Sequence, residues 1–187
     1  VLDVTDVPTI NSFEVYPFNT SDTGGGFRSL SINGKVLIDS GAQWDTSQTW
    51  SDQINTDASL AFNGSTSDYW QQDSATTNTW TTSGLPTLTS LAFKQPGTSD
   101  SFTLTIDGDL YGSSEMSYDL NTPQKLTVNL TKTYDNPVIV ITPQTDAETG
   151  TYIAAYWEQV IWNGKILVDP TITYKVISTA LVNNTIT

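Results

Sequence analysis

The phrase LSINGKVLIDS, at Leu30–Ser40, returns near the other end of the chain as VIWNGKILVDP, at Val160–Pro170. The two copies agree at Asn, Gly, Lys, Leu and Asp, and Val/Ile exchanges flank these anchors. Asn-Gly between apolar runs is a strong hairpin signal, because both turn residues must adopt positive φ, which Asn and Gly tolerate best. We therefore predict two-residue turns at the Asn-Gly of each copy: Asn33-Gly34 and Asn163-Gly164.

Strand and turn signals continue between the two copies. The segment SFTLTIDGDLYG places alternate apolar residues on one face and then turns at Asp107-Gly108. The run Val138–Ile141 is continuously apolar, which predicts a central strand buried on both faces. Thr, Ser and Asn are frequent, whereas the helix formers Lys, Glu and Ala are sparse. Short strands at roughly 10-residue spacing predict an all-β fold, a jelly-roll type β-sandwich with hairpin extensions.

The repeated phrase also suggests a division of the chain. We expect residues 1–41 to form an N-terminal arm and lead-in hairpin, residues 42–170 a β-sandwich module, and residues 171–187 a β-prone tail. The arm Val1–Asn11 and the tail Thr171–Thr187 carry apolar residues that they cannot bury by themselves. At least one of them is therefore expected to pack on a neighbouring copy of the chain.

Composition and charge exclude several classes of function. The chain has 187 residues with 20 acidic and 7 basic side chains, a net charge of -13. This balance disfavours nucleic-acid binding, because few side chains could neutralise phosphates. The chain has neither Cys nor His, so the usual general base, thiolate nucleophile and transition-metal ligands are missing. No apolar stretch approaches a membrane span, and neither membrane insertion nor a cofactor is expected.

Carboxylates are the remaining candidates for chemistry. Asp45 and Asp52 lie among tryptophans, as in a glycosidase cleft, but Asp in a turn-rich segment usually forms turns and caps. The segments Asp107–Asp109 and Thr145–Gly150 could offer oxygen ligands to calcium, but neither has the spacing of a calcium loop. We therefore predict no catalytic residue, no metal ligand set and no enzymatic activity.

Aromatic side chains offer a different kind of site. Trp and Tyr rings stack on sugars through their apolar faces, and three of them fall at expected loop or edge positions. The candidate glycan-binding residues are Trp44, Tyr69 and Trp80. The alternative is that these rings are buried in the sandwich or against a neighbouring subunit.

The stretch AFNGSTSDYW, at Ala61–Trp70, resembles the entry motif of discoidin-like, galactose-binding-type β-sandwiches. That motif has a small apolar pair, then Asp or Asn with Gly, then Thr-Ser and an aromatic residue with Trp. The resemblance implies a β-sandwich in which Trp70 is a packing residue rather than a ligand.

A wider resemblance covers residues 27–170. The order of the first hairpin phrase, AFNGSTSDYW and the second phrase is similar to modules of virion proteins of tailed phages of marine bacteria. It implies a non-enzymatic tail, fibre or capsid-surface protein at the virion surface. The chain would form a homo-oligomer, for which a trimer is one option. Its other partners would be further virion subunits and a host-surface glycan. The alternative function is a carbohydrate-binding module of a secreted or receptor-binding protein.

Overall fold

The computed structural model describes residues 9–17, 27–48, 57–72, 77–96, 102–119, 124–144 and 155–176. Within these ranges the chain forms sixteen strands and three short 3-10 helices, at Ser40–Ala42, Ala58–Phe62 and Ser113–Glu115. The strands are β1 (Phe13–Pro17), β2 (Phe27–Ile32), β3 (Lys35–Asp39), β4 (Gln43–Asp45), β5 (Trp70–Gln72), β6 (Asn78–Thr81), β7 (Leu91–Gln95), β8 (Phe102–Ile106), β9 (Asp109–Tyr111), β10 (Met116–Asp119), β11 (Gln124–Val128), β12 (Val138–Pro143), β13 (Ala155–Trp157), β14 (Gln159–Trp162), β15 (Lys165–Val168) and β16 (Thr173–Val176).

Two sheets enclose the main core and confirm an all-β sandwich. One is six-stranded in the order β10-β11-β7-β14-β15-β4, and the other is four-stranded in the order β6-β12-β8-β9. Buried side chains of both sheets belong to one cluster, together with Phe62 and Trp70 from the connecting segment. Their alternation follows from the two-residue period of a strand, as in β8, where Phe102, Leu104 and Ile106 are buried.

The predicted turns are confirmed, and one strand prediction is wrong. Asn33, Asp107 and Asn163 have φ of 52°, 49° and 49°, and the glycine after each also has positive φ. The run Val138–Ile141 was expected to be buried on both faces. It forms the centre of its sheet, but only Ile139 and Ile141 are fully buried, while Val138 is exposed. Only one face of this sheet lies on the core, so the other face of β12 stays partly accessible.

The repeated phrase belongs to a larger repeated unit. β1-β2-β3 and β7-β14-β15 are paired in the same way, with Phe13 opposite Ile32 in the first and Leu91 opposite Trp162 in the second. The turn asparagines make matching hydrogen bonds. Asn33 Nδ2 donates to Thr9 O, and its Oδ1 accepts from the two backbone amides that precede β1. Asn163 makes the same contacts to Thr87 O and to the two amides that precede β7.

A fourth strand completes each unit, and the two units exchange it. β4 follows β3 along the chain, but it pairs in parallel with β15 of the second unit. β16 follows β15, but it pairs in parallel with β3 of the first unit. The registers match, because Gln43 lies opposite Ile166, and their counterparts Thr173 and Val36 lie opposite each other. The result is a reciprocal strand exchange within one chain.

The two units also share equivalent side-chain contacts. Lys165 Nζ lies 4.3 Å from the centre of the Trp44 ring, and Lys35 Nζ lies 5.1 Å from the centre of the Tyr174 ring. The connections also match, since Asp39 Oδ1 accepts from the Gly41 amide and Asp169 Oδ1 accepts from the Thr171 amide. The two units are therefore equivalent from the strand before the hairpin to the strand after it.

The two exchanged strands relate differently to the three predicted segments of the chain. β4 lies at the start of the predicted module 42–170 and β15 near its end, and these two strands pair with each other. The start of the predicted tail, through β16, pairs with the lead-in hairpin of the same chain. Residues 1–8 of the arm and 177–187 of the tail lie outside the described residues.

Candidate functional site

A polar groove lies between the first unit and the segment that follows the 3-10 helix at Ala58–Phe62. Its volume is about 600 Å³, including the open mouth. One wall comes from strands β1, β2 and β3, and the other from the turn at residues 63–68. The side chains that can bind a ligand there are carboxylates and hydroxyls: Glu14, Tyr16, Ser31, Ser65, Ser67 and Asp68.

Internal hydrogen bonds fix the turn wall of this groove. Asn63 Oδ1 accepts from the Ser65 amide at 2.8 Å, and Asn63 Nδ2 donates to Asp68 Oδ1 at 3.0 Å. Ser65 Oγ accepts from the Ser67 amide, and the two hydroxyl oxygens lie 2.6 Å apart. Asn and Ser side chains stabilise tight turns by bonding to backbone amides two residues on. The motif AFNGSTSD therefore builds a rigid polar wall.

The strand wall carries a small hydrogen-bonded cluster. Glu14 Oε2 accepts from Tyr16 OH at 3.1 Å and from Ser31 Oγ at 3.3 Å. The hydrogen bond to Glu14 and the charge of that carboxylate raise the pKa of Tyr16 above its usual value. The phenol therefore stays protonated as a donor at neutral pH. With acidic and hydroxyl groups on both walls, the groove suits a neutral polyhydroxylated ligand better than an anion.

The structure separates the three predicted glycan-binding aromatics. Tyr69 keeps 38% of its surface exposed and packs edge-on against Tyr156. Trp44 is half-buried: its Nε1 donates to Trp162 O, and Lys165 covers its ring. Trp80 is fully buried and contacts Phe62 and Trp162, so its ring cannot stack on a sugar.

The carboxylates considered from the sequence have structural partners. Asp45 Oδ1 accepts from Gln43 Nε2, and Asp52 lies outside the described residues. Asp107 Oδ1 accepts from the Val138 amide. Asp109 contacts Tyr134 OH and Lys132 Nζ, and the hydrogen bond from Lys132 lowers the pKa of Asp109. Residues 145–150 are not described, and the described ranges contain no group of three or more acidic side chains that could hold a metal ion.

A buried ion pair joins the first unit to the sandwich. Arg28 Nη1 lies 3.6 Å from Glu158 Oε1, and the Glu158 side chain is 1% exposed. Arg28 Nη1 also donates to Thr66 O in the turn wall of the groove. Burial raises the pKa of Glu158 to about 7, although the charges of Arg28 and Lys94 oppose this shift. Sequence reasoning missed this pair, because Arg28 on β2 and Glu158 between β13 and β14 lie far apart along the chain.

This pKa shift predicts a pH-dependent stability. The folded chain binds the Glu158 proton more tightly than the unfolded chain does, so the added stability is present below pH 4.5 and is lost as the pH rises through about 7. We expect the free energy of unfolding to fall by about 1–3 kcal/mol across this range. Urea unfolding at several pH values measures the effect.

The matched variants for this measurement are Glu158→Gln and Glu115→Gln. Glu158→Gln should flatten the pH dependence. The pKa of Glu115 is lowered, chiefly by its hydrogen bond from Ser114, so Glu115→Gln should leave the decline between pH 4.5 and 7 in place. An unchanged decline in Glu158→Gln would contradict the assignment.

The fold defines the class of protein: an all-β sandwich with a second sheet unit of the same pairing, in which the two units exchange one strand each. Comparisons with protein-family models, with curated proteins and with solved structures find no match to this chain. No helix in the described ranges has the length and apolarity needed to cross a membrane.

Proposed function

We propose that this chain is a non-enzymatic structural component of a phage virion, in a tail, a fibre or a capsid decoration, where it assembles with copies of itself at the particle surface. The resemblance of its module phrases to virion proteins supports the proposal. So does its acidic surface, which keeps finished particles apart while subunits join through apolar contacts.

One observation carries the proposal: the chain repeats its sheet unit, but the two copies have different surroundings. The second unit closes a sandwich, and Leu91 and Phe93 of β7 lie in the core. The equivalent residues of the first unit, Phe13 and Val15, are exposed. The first unit has the alternation of a sandwich sheet, but the apolar side chains Phe13 and Val15 of β1 are exposed. Such a surface is suited to binding another subunit.

The first test of this function is the mass of the wild-type chain in solution. We expect sedimentation at micromolar concentrations to give a defined homo-oligomer. Its population should increase from low to physiological salt, because salt screens the repulsion between subunits that each carry a net charge of -13. A monomer at every concentration and salt level would contradict the proposal.

The polar groove and the exposed Tyr69 favour a second candidate function, carbohydrate binding. Under this alternative the chain would be a monomer that binds neutral glycans. Tyr69→Ala would then abolish the binding, whereas Trp44→Phe would leave it in place. A glycan array read alongside the sedimentation experiment separates the two functions.

A further inference from the structure

The outer edge of β1 differs from the outer edge of its counterpart β7. β7 pairs with β14 on one side and with β11 on the other, whereas β1 pairs with β2 and ends its sheet. Asn33 N donates to Ser12 O, so by the alternation of an antiparallel pair the backbone groups of Phe13 and Val15 point away from β2. The equivalent groups of Leu91 and Phe93 face β11. Among the described strands, nothing occupies this position on β1.

The side chains along this edge show the same difference. Phe13 is 56% exposed and Val15 is 46% exposed, whereas their counterparts Leu91 and Phe93 are 1% and 0% exposed. Ile10, just before β1, is 51% exposed, and its counterpart Leu88 is fully buried. Three core positions of the second unit are thus surface positions in the first.

We propose that the outer edge of β1 binds β1 of a second copy of this chain, as an antiparallel pair about a two-fold axis. This inference rests on the proposed function, because it names the surface through which copies join. The occupant of the equivalent edge, β11, is an antiparallel strand whose Leu126 and Val128 face the core. β1 has the same alternation, with Phe13 and Val15 on one face, so a second β1 is a matching partner.

Charge and hydrogen bonding favour a register centred on Val15. A register that places Glu14 opposite its copy is unfavourable, because like charges directly across a strand pair repel. Centring the pair on Val15 places Glu14 opposite Tyr16 of the other copy, and these side chains already hydrogen-bond within one chain. It also lets the two Val15 residues exchange both backbone hydrogen bonds. Pro17 has no amide hydrogen and ends the pair.

The geometry explains how copies join without rearranging the sandwich. Two paired β1 strands would bring the sheets β1-β2-β3-β16 of two copies into one continuous sheet. Phe13 and Val15 of both copies would then lie side by side on one face. The proposed β1–β1 pair has two-fold symmetry, so it forms a dimer, and a trimer would need a different contact.

The test compares Val15→Lys with Leu110→Lys by sedimentation. Leu110 is a matched control, because it is 64% exposed on β9, which also ends its sheet. Each Val15→Lys dimer would carry two facing lysines, and we expect its dissociation constant to rise about 100-fold or more. Leu110→Lys should assemble like the wild-type chain. Equal urea midpoints for the two variants would show that the loss arises at the joint and not from unfolding.

A cysteine variant tests the register directly. The chain has no Cys, so Val15→Cys introduces a single thiol. Directly opposed residues of a hydrogen-bonded pair lie about 5.5 Å apart between Cα atoms, which a disulfide can span. Under oxidising conditions we expect a covalent dimer from Val15→Cys but not from Leu110→Cys. If the wild-type chain is a monomer, both this joint and the proposed function are wrong. If it assembles but neither Val15 variant has its expected effect, only this joint is wrong.

Discussion

Replacing Trp157 with alanine is expected to destabilise the fold by about 3–5 kcal/mol, the usual cost of removing a large aromatic side chain from a core. Trp157 is fully buried on β13. Its ring centre lies 4.2 Å from that of Phe93, 4.9 Å from that of Phe102 and 6.0 Å from that of Trp70. The variant loses three aromatic contacts and leaves a cavity between the two sheets. Urea unfolding should show a lower midpoint with little change in slope.

The neighbouring residue on the same strand is the control. Tyr156 points away from the core, is half-buried and packs edge-on against Tyr69. Tyr156→Ala should cost about 1 kcal/mol, because it removes one partly exposed aromatic pair. A cost for Trp157→Ala within error of that for Tyr156→Ala would show that Trp157 does not link the two sheets.

The parts of the fold that were predicted from the sequence have local causes. The turns at Asn33, Asp107 and Asn163 follow from residues that tolerate positive φ beside residues that favour strands. The alternation in β8 follows from the two-residue period of a strand, and it places three apolar side chains on the core. No knowledge of distant partners is needed for either feature.

The strand exchange could not be predicted in this way. β4 and β16 pair with strands more than a hundred residues away, and nothing in the sequence of a three- or four-residue strand identifies its partner. The matching hydrogen bonds of Asn33 and Asn163 involve Thr9 and Thr87, outside the repeated phrase. The repeated phrase therefore reveals the turn and the strand after it, but not the strand from a distant part of the chain that completes the unit.

The candidate site was predicted in part. AFNGSTSD was identified as a motif, but the other wall of the groove comes from Glu14 and Ser31, which only the folded chain brings near it. Trp80 was predicted at a loop or edge position and lies on the edge strand β6. An edge strand still has an inward face, and the alternation of β6 turns Trp80 into the core. Tyr69 is the predicted aromatic residue that keeps an exposed ring.

The second large effect is expected at Gly64, where the first unit meets the sandwich. Gly64 has φ of +73°, and a Cβ added there would lie 2.2 Å from Ile38 Cδ1 and 3.4 Å from Val168 Cγ1. Ile38 and Val168 occupy equivalent positions in the two units. Gly64→Ala combines backbone strain with overpacking, so we expect a loss of about 2–5 kcal/mol in the free energy of unfolding.

Two further variants separate the cost of backbone strain at Gly64 from the cost of its contact with Ile38. Gly84 has φ of +69° and no atom within 4 Å of an added Cβ, so Gly84→Ala should show the strain alone, about 1–2 kcal/mol. Ile38→Ala removes both the Cδ1 atom and the Cγ1 atom, which an added Cβ would approach to 2.2 and 2.6 Å, and combining it with Gly64→Ala should recover at least about 1 kcal/mol in a double-mutant cycle. Equal costs for Gly64→Ala and Gly84→Ala, with no coupling to Ile38, would mean that β3 does not pack on the Gly64 turn. The first unit would then be held on the sandwich by its other contacts, such as the Arg28–Glu158 ion pair and the hydrogen bond from Arg28 to Thr66, and not by packing of Ile38 on Gly64.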